Sequence, residues 1–388
     1  MVDLNRTKAI LGDLIAFPTV SSDSNLDLIS YAANLLEQLG ARIELTSDGT
    51  GRKGNLFASF GPDIAGGIVL SGHTDVVPAN PDEWVGDPFE MREADGRLYG
   101  RGACDMKGFI AAVLSKAPEL AESAVNRPLH IALTFDEEVG CLGAQRLVSA
   151  LEGREALPSL VIIGEPTMMG VIDGHKGCCE YVTRFQGLEG HASNPGGGVN
   201  AIHFANRYVS RLLTLGEELK NQADADSVFD PPHSTLQVGR IEGGTARNVV
   251  AGSCEIDWEI RPVKLGDEEH VKDQLGFYCE EVLLPEMRII SPAAAIDLEV
   301  VAEVPGLTPI PDNTARKLLF ELTGEETSDV VAFGTEAGLF QSLGMHVAVC
   351  GPGSIDQAHK PDEFVSLEQL SACLTMLDGL SAELRDET

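Results

Sequence analysis

The first third of the sequence alternates short apolar runs with stretches of helical length and pattern. Residues 67–71, 129–135 and 160–163 are mostly apolar segments of strand length, and residues 107–121 have the pattern of a helix. Strands that are apolar along their whole length are typical of a parallel sheet covered on both faces. We therefore predict an α/β domain with a mostly parallel mixed sheet that is covered by helices.

The pattern changes near residue 178. Apolar and polar residues alternate over 180–186, 234–241 and 253–260, which predicts strands with one exposed face. Helices are predicted over 200–216 and 267–284. On the first of these helices, the positions expected to face inward are Ile202, Ala205, Val209, Leu212 and Leu213.

The α/β pattern returns near residue 306, with a helix predicted at 312–322 and a buried strand at 346–350. A chain of 388 residues is longer than most single domains. We therefore predict two domains. Residues 1–177 and 306–388 would form the catalytic domain, and residues 178–305 would form an inserted α+β domain.

Composition narrows the classes of partner. The chain has 60 acidic and 28 basic residues and a formal net charge of −32. Such a surface repels phosphate backbones and anionic lipids, which argues against nucleic-acid and membrane partners. The eight cysteines form no Cys-x-x-Cys motif, and no basic leader precedes an apolar run. We expect a cytoplasmic protein with reduced thiols.

Polar residues with the chemistry of metal ligands follow the predicted strands. The carboxyl ends of neighbouring parallel strands meet at one edge of a sheet, so such residues are expected to lie close together. A glycine-rich loop before the helix at 107–121 presents a further carboxylate, and a late segment after residue 350 supplies a second histidine. The candidates are His73, Asp75, Asp105, Glu137, Glu138, Glu165 and His359.

Two histidines and three carboxylates suit a pair of divalent ions with one bridging carboxylate. Three carboxylates and one hydroxide also balance the charge of two such ions. Nitrogen and oxygen donors favour zinc, with cobalt or manganese as alternatives. Asp75 lies two residues after His73 on the same side of an extended segment, where it would fix the tautomer of the imidazole. Glu137 remains beside a ligand as a general base for water.

The same segments resemble a known family. Residues 71–78, 100–108, 136–140 and 164–167 are similar to the motifs of the dinuclear zinc aminoacylase and carboxypeptidase family. The resemblance implies a zinc-peptidase-like catalytic domain. It implies one zinc on His73, Asp105 and Glu165, and a second on Asp105, Glu138 and His359. Asp75 would be the partner of His73, and Glu137 the base.

Within that family, residues 254–262, 334–337 and 351–363 are most similar to the acetylornithine deacetylase branch. This implies hydrolysis of N-acetylornithine to ornithine and acetate, in arginine biosynthesis, by a metal-bridging water that Glu137 activates. The alternatives are a related N-acyl amino acid deacylase, a succinyl-diaminopimelate desuccinylase or a metallo-carboxypeptidase. A non-catalytic binding protein of the same fold is disfavoured, because every ligand position and the base are filled.

The inserted domain resembles the ferredoxin-like lid and dimerisation domain of the family, which implies a homodimer. His191 matches a histidine that reaches the zinc site of the partner subunit. Asn248 and Arg261 match positions that hold the carboxylate of the substrate, and Lys176 and Glu336 are further candidates for substrate binding. One position departs from the pattern, because Ala251 stands where the family often has proline.

Overall fold

The computed structural model describes residues 4–385. The chain divides into two compact units. The first contains the residues up to Gly174, Leu307–Val330 and the residues from Thr335 onward, and the second contains His175–Gly306 and Val331–Gly334. The predicted boundaries lay at 177/178 and 305/306, and they left residues 331–334 in the first domain. Gly334 lies close to Lys176 and Cys178 of the second unit, since a Cβ added to it would be 3.6 Å from the backbone oxygen of Lys176 and 3.5 Å from the Cβ of Cys178.

The helices and strands follow one another in three segments of the chain. The first segment contains α1 (Leu4–Ile15), α2 (Leu26–Glu37), β1 (Arg42–Ser47), β2 (Gly54–Phe60), β3 (Ile68–His73), β4 (Arg92–Ala94), β5 (Arg97–Tyr99), α3 (Lys107–Ser123), β6 (Leu129–Thr134), α4 (Leu142–Leu151), β7 (Leu160–Ile163) and β8 (Val171–His175). The second contains β9 (Cys178–Gln186), β10 (Gly190–His191), α5 (Ala201–Asn221), β11 (Thr235–Gly243), β12 (Val249–Val250), β13 (Ser253–Arg261), α6 (Asp267–Tyr278), α7 (Leu284–Ile290) and β14 (Ala295–Val304). The third contains α8 (Thr314–Thr323), β15 (Ser328–Val331), α9 (Ala337–Ser342), β16 (His346–Val349), β17 (Phe364–Ser366) and α10 (Leu367–Glu383).

The first unit is built on an eight-stranded sheet in the order β1-β2-β6-β3-β7-β16-β8-β15. Strands β6, β3, β7 and β16 are parallel neighbours, whereas β1, β2 and β8 pair antiparallel. Helices flank this sheet, and α1, α3 and α10 pack together in its hydrophobic core. The predicted mixed, mostly parallel sheet covered by helices is confirmed.

The central strands are buried along their whole length, as their apolar sequences predict. Their carboxyl ends are therefore fixed by packing on both sides. Gly164, directly after β7, shows how closely the layers approach. A Cβ at this position would lie 2.0 Å from the ring of Phe109 in α3, so only glycine allows the chain to leave the strand here.

The second unit has its own hydrophobic core and its own antiparallel sheet, in the order β11-β13-β9-β14. The main elements follow the order strand, helix, strand, strand, helix, strand, which is the ferredoxin-like arrangement. Helix α6 continues through a π-helical segment at Cys279–Leu283 into α7. The predicted helix at 267–284 therefore extends to Ile290.

The predicted inward face of α5 is wrong at two positions. The buried residues of this helix form a stripe with helical spacing at Ala201, Ala205, Tyr208, Leu212, Leu215 and Leu219. Ile202 and Leu213 each follow a stripe residue by one position, which places them about 100° around the helix. Their side chains are 39% and 56% exposed.

Within residues 4–385, none of the helices combines the length and the apolar character that a bilayer-spanning helix needs.

Candidate metal centre

His73 ends strand β3 and is buried. Its Nδ1 lies 2.9 Å from the backbone oxygen of Asp75 and 3.6 Å from Oδ1 of the same residue. Because the carbonyl only accepts hydrogen bonds, Nδ1 carries the proton and Nε2 faces the neighbouring carboxylates. This is the arrangement in which a histidine binds a metal through Nε2.

Asp105 lies between the two candidate histidines. Its Oδ1 is 2.9 Å from Nε2 of His73, and its Oδ2 is 3.2 Å from Nε2 of His359. The residue comes from the loop before α3, and His359 comes from the loop between β16 and β17. One carboxylate thus faces two imidazoles from distant parts of the chain, as a bridging ligand would.

A further glutamate lies beside each histidine. Oε1 of Glu165, which follows β7, is 3.7 Å from Nε2 of His73, and Oε1 of Glu138 is 3.0 Å from Nε2 of His359. Donor atoms that share a tetrahedral zinc ion are about 3.3 Å apart, given Zn–N and Zn–O bonds near 2 Å. The spacings and the donor types therefore fit two divalent ions on either side of Asp105.

Charge in the cluster also fits bound cations. Burial raises the pKa of Glu138, and it raises that of Glu165 well above its usual value, with further contributions from the neighbouring carboxylates. Hydrogen bonds to Asp105 and Glu138 raise the pKa of His359 to about 10. The metal-free cluster thus retains protons, and divalent ions would displace them.

Glu137 lies next to these groups without contacting a histidine. One of its oxygens, one from Glu165 and a ring nitrogen of His73 all lie within 4.8 Å of one another. Burial raises the pKa of Glu137 to about 8, and neighbouring carboxylates contribute. A partly buried carboxyl with a pKa near neutrality is suited to take up and release a proton.

Two supports of this arrangement had no role in the sequence analysis. The hydroxyl of Ser21 donates to Oδ2 of Asp75 over 2.8 Å. The thiol of Cys141 lies 3.4 Å from Oε1 of Glu137, and Cys141 has a φ of +54°. Nothing in the sequence near Ser21 indicates this contact, because it depends on how the loop after α1 packs. Cys141 follows the acidic segment by only a few residues, and that proximity was the available signal.

In the second unit, the structure brings His191 and Asn248 together. His191 pairs with Val249 in a short antiparallel bridge, and the N–H of Ala192 donates to the oxygen of Asn248 over 3.0 Å. Both side chains are exposed. The backbone N–H of Ser193 donates to Nδ1 of His191, so Nε2 carries the proton of the neutral ring.

Arg261 and Lys176 have partners within the second unit. The guanidinium of Arg261 donates from Nε and Nη2 to Oε2 of Glu259, at 3.1 and 2.7 Å. The buried ammonium of Lys176 donates to the backbone oxygens of Pro231 and His233, at 2.7 and 3.2 Å.

Glu336 belongs to the first unit and is buried. Its Oε1 accepts a hydrogen bond from the hydroxyl of Ser71, and its Oε2 accepts one from the hydroxyl of Thr134 over 2.8 Å. These hydroxyls belong to β3 and β6. Both carboxylate oxygens are therefore bound to the sheet, rather than presented at a surface.

Comparison with known proteins agrees with this geometry. The model of the peptidase family M20/M25/M40 matches residues 69–383. The chain belongs to this family. It is also 36% identical over 359 residues to an acetylornithine deacetylase of Shigella sonnei, and the match covers 91% of each chain.

Solved structures of the M20 family share the fold. An M20 metallo-carboxypeptidase of Sulfolobus solfataricus superposes with a TM-score of 0.76, at 17% identity over 98% of this chain and 99% of its own. A dinuclear metal-binding M20 peptidase of Bacillus subtilis superposes with a TM-score of 0.66, at 14% identity over 99% of each chain. Membership in the M20 family makes this protein a metal-dependent hydrolase.

Proposed function

We propose that this M20 enzyme is an amidohydrolase that removes the acetyl group from N-acetylornithine, giving ornithine and acetate, as in arginine biosynthesis. The observation that carries the proposal is the position of Asp105, whose two oxygens face His73 and His359. The similarity to an acetylornithine deacetylase supports the choice of substrate. We also propose two divalent ions in this cluster, with zinc favoured over cobalt or manganese by the donor types.

The proposed hydrolysis depends on the carboxyl group of Glu137, which lies next to the proposed ligands. When bound, the paired ions would polarise the acyl oxygen and make water more acidic. Glu137 takes a proton from a water molecule, whose oxygen forms a bond to the carbonyl carbon. The C–N bond then breaks, and Glu137 returns the proton to the leaving nitrogen. Asp75 holds His73 in the tautomer that presents Nε2.

The similarity to the family suggests the contacts to the rest of the substrate. We assign the carboxylate of the substrate to Asn248, which is exposed, and to Arg261, whose guanidinium is planar and able to bind a carboxylate with two donors. Lys176 and Glu336 are buried and hydrogen-bonded inside their own units. Our proposal therefore gives these two residues supporting positions instead of direct contact with the substrate.

We further propose that the enzyme is a homodimer in which His191 serves the metal centre of the neighbouring subunit. The N–H on Nε2 of His191 is the kind of donor that stabilises a developing oxyanion. The exposed Ile202 and Leu213 on α5 are apolar surface that a second copy would cover. A cytoplasmic location is part of the same proposal, and within residues 4–385 the cysteines form no disulfide.

The test is a substrate panel with the zinc-loaded enzyme. N-acetylornithine, other N-acetyl amino acids, N-succinyl-diaminopimelate and dipeptides are compared by kcat/KM. N-acetylornithine should be hydrolysed with the highest kcat/KM. A higher value for a succinylated substrate or a dipeptide would move the assignment to a desuccinylase or a carboxypeptidase. Bound metal without hydrolysis of any substrate would indicate a binding protein.

A further inference from the structure

One buried carboxylate outside the proposed ligand set lies beneath the loop that carries Asp105. Glu363 is 1% exposed. Its Oε1 accepts hydrogen bonds from the backbone N–H groups of Cys104 and Asp105, at 2.8 and 3.0 Å. Its Oε2 accepts from the N–H of Gly102 at 3.1 Å and from Nη1 of Arg101 at 2.6 Å.

These contacts use the full accepting capacity of the group. A carboxylate offers about four lone-pair positions, and Glu363 has four donors from one short loop. Three of the donors are main-chain N–H groups, so the contact fixes the path of the backbone and not merely one side chain. Hydrogen bonds from N–H groups to an ionised carboxylate are also stronger than those between neutral groups.

Glu363 is itself held in place by the strand that follows it. In β17, Phe364 pairs with Tyr99 of β5, and the N–H of Gly100 donates to the backbone oxygen of Glu363 over 3.0 Å. Glu363 also lies four residues after His359. The segment from His359 to Glu363 therefore begins with one candidate ligand. It ends with the carboxylate that binds the loop of a second candidate ligand, Asp105.

We propose that Glu363 is a positioning residue that sets the distance between the bridging ligand Asp105 and His359. Without this carboxylate, three N–H groups of the loop lose their acceptor, and the backbone of Asp105 is free to move away from the second imidazole. The inference rests on the proposed metal centre. It adds a residue that acts through Asp105 without contacting the substrate.

Another explanation is that Glu363 matters only as the partner of Arg101 in a buried ion pair. Two substitutions distinguish these roles. Glu363→Gln keeps the shape of the side chain, but an NH₂ group replaces one of the two carboxylate oxygens. The N–H groups that this oxygen accepted from then face a donor and lose their acceptor. Arg101→Met removes the ion pair and leaves the three bonds from the backbone to the carboxylate.

The experiment measures ion binding directly. Metal-free wild type, Glu363→Gln and Arg101→Met are titrated with zinc against a competing chelator, and the visible absorption spectrum of each is recorded with cobalt. Glu363→Gln should weaken ion binding by about 10–100-fold, the usual effect of losing a group that orients a ligand, and should change the cobalt spectrum. Arg101→Met should keep the affinity and spectrum of the wild type.

Three results would overturn the inference. They are wild-type affinity and spectrum in Glu363→Gln, an equal loss of affinity in Arg101→Met, and rapid hydrogen exchange at the amides of Cys104 and Asp105 in the metal-free wild type. If Glu363→Gln fails to fold because the charge of Arg101 is left unpaired, the double variant Glu363→Gln/Arg101→Met removes that charge and is titrated in its place. The measurement of amide exchange in the wild type needs no variant. A wild type that binds no ions would instead overturn the metal centre itself.

Discussion

The backbone N–H of Glu137 donates a hydrogen bond to Oδ1 of Asp75 over 3.0 Å. The backbone oxygen of Asp75 lies 2.9 Å from Nδ1 of His73, so one residue both orients a proposed ligand and fixes the main chain of the proposed base. The spacing between the proposed ligand and the proposed base therefore depends on one buried residue, which follows β3 and contacts the segment after the neighbouring strand β6.

This contact predicts a combined defect in Asp75→Asn. Oδ1 of Asp75 faces Nδ1 of His73 and accepts from the N–H of Glu137, and Oδ2 accepts from the N–H of Glu138. An amide nitrogen in either place therefore removes one hydrogen bond to the segment at Glu137. We expect zinc affinity to fall by about 10–100-fold, and turnover of the fully loaded enzyme to fall as well. Asp173→Asn is the matched control, because Asp173 is a buried aspartate paired with Arg316, away from the cluster. Normal turnover in loaded Asp75→Asn would contradict the link to the base.

Glu137→Gln should be inactive but more stable than the wild type at alkaline pH. Turnover should fall about 10²–10⁴-fold, the usual contribution of a general base, with both ions retained. Burial raises the pKa of Glu137 from 4.5 to about 8, so the folded metal-free protein binds this proton more tightly than the unfolded chain does. The contribution of Glu137 to stability is thus lost as the pH rises from 4.5 through 8.

Glutamine does not titrate, and the stability of Glu137→Gln relative to the wild type should increase across that interval and then level off. Urea unfolding of the metal-free proteins at pH 5, 6.5 and 8.5 measures this difference. A difference in the free energy of unfolding that does not change with pH would show that the carboxyl titrates normally.

Zinc affinity should rise steeply with pH. The pKa of His359 is raised to about 10 by its contacts with Asp105 and Glu138, so this histidine must lose a proton before it binds an ion. We expect the apparent affinity to increase at least about tenfold per pH unit between pH 6 and 8, because one proton or more is released on binding. Titration with a chelator of known pH dependence measures this, and a constant affinity over that range would be inconsistent with His359 as a ligand.

Subunits inactivated in different ways should complement each other if His191 acts across the dimer. His191→Ala and Glu137→Ala each remove one part of the proposed machinery. A mixture of the two should regain part of the wild-type activity, because some mixed dimers contain one complete centre. Subunit exchange is verified with differently tagged copies. No recovery despite exchange would exclude catalysis across subunits.

Gly164→Ala should disturb both the fold and the metal centre. The added Cβ would lie 2.0 Å from the ring of Phe109 and directly before Glu165, so either α3 or the ligand must move. Overpacking of this kind costs about 1–3 kcal/mol in the free energy of unfolding. Gly276→Ala in α6 is the control, since no atom beyond its chain neighbours and the nearby backbone of its own helix lies within 4 Å of the added Cβ. Equal stability and equal zinc content in both variants would contradict the prediction.

The proposed ligands at strand ends could be predicted from sequence because the buried strands that carry them are easy to find. The strands that lead to His73, Glu138 and Glu165 are mostly apolar and fully buried, and parallel strands bring their carboxyl ends to one edge. The prediction of His359 depended most on the family resemblance. It has a φ of +61° in a loop without regular structure, so no periodic pattern indicates where its side chain points.

Other features depend on tertiary packing and were missed or wrongly placed. The proposed role of Glu363 depends on backbone N–H groups of a loop that lies far from it in sequence. Every residue type except proline has such a donor, so the residue pattern does not indicate the contact. Ile202 and Leu213 are apolar yet exposed, because hydrophobicity alone does not separate a buried stripe from apolar surface one residue away. Residues 331–334 belong to the second unit through contacts with residues distant in sequence, which the local pattern does not indicate.

The two-part layout of the first unit has a consequence for biosynthesis. Four of the proposed ligands are translated before the inserted unit, but His359 is translated only after it. A nascent or prematurely terminated chain would therefore hold at most an incomplete set of donors. Binding of both proposed metal ions would therefore have to follow synthesis of the inserted unit, and shorter nascent chains would lack hydrolase activity.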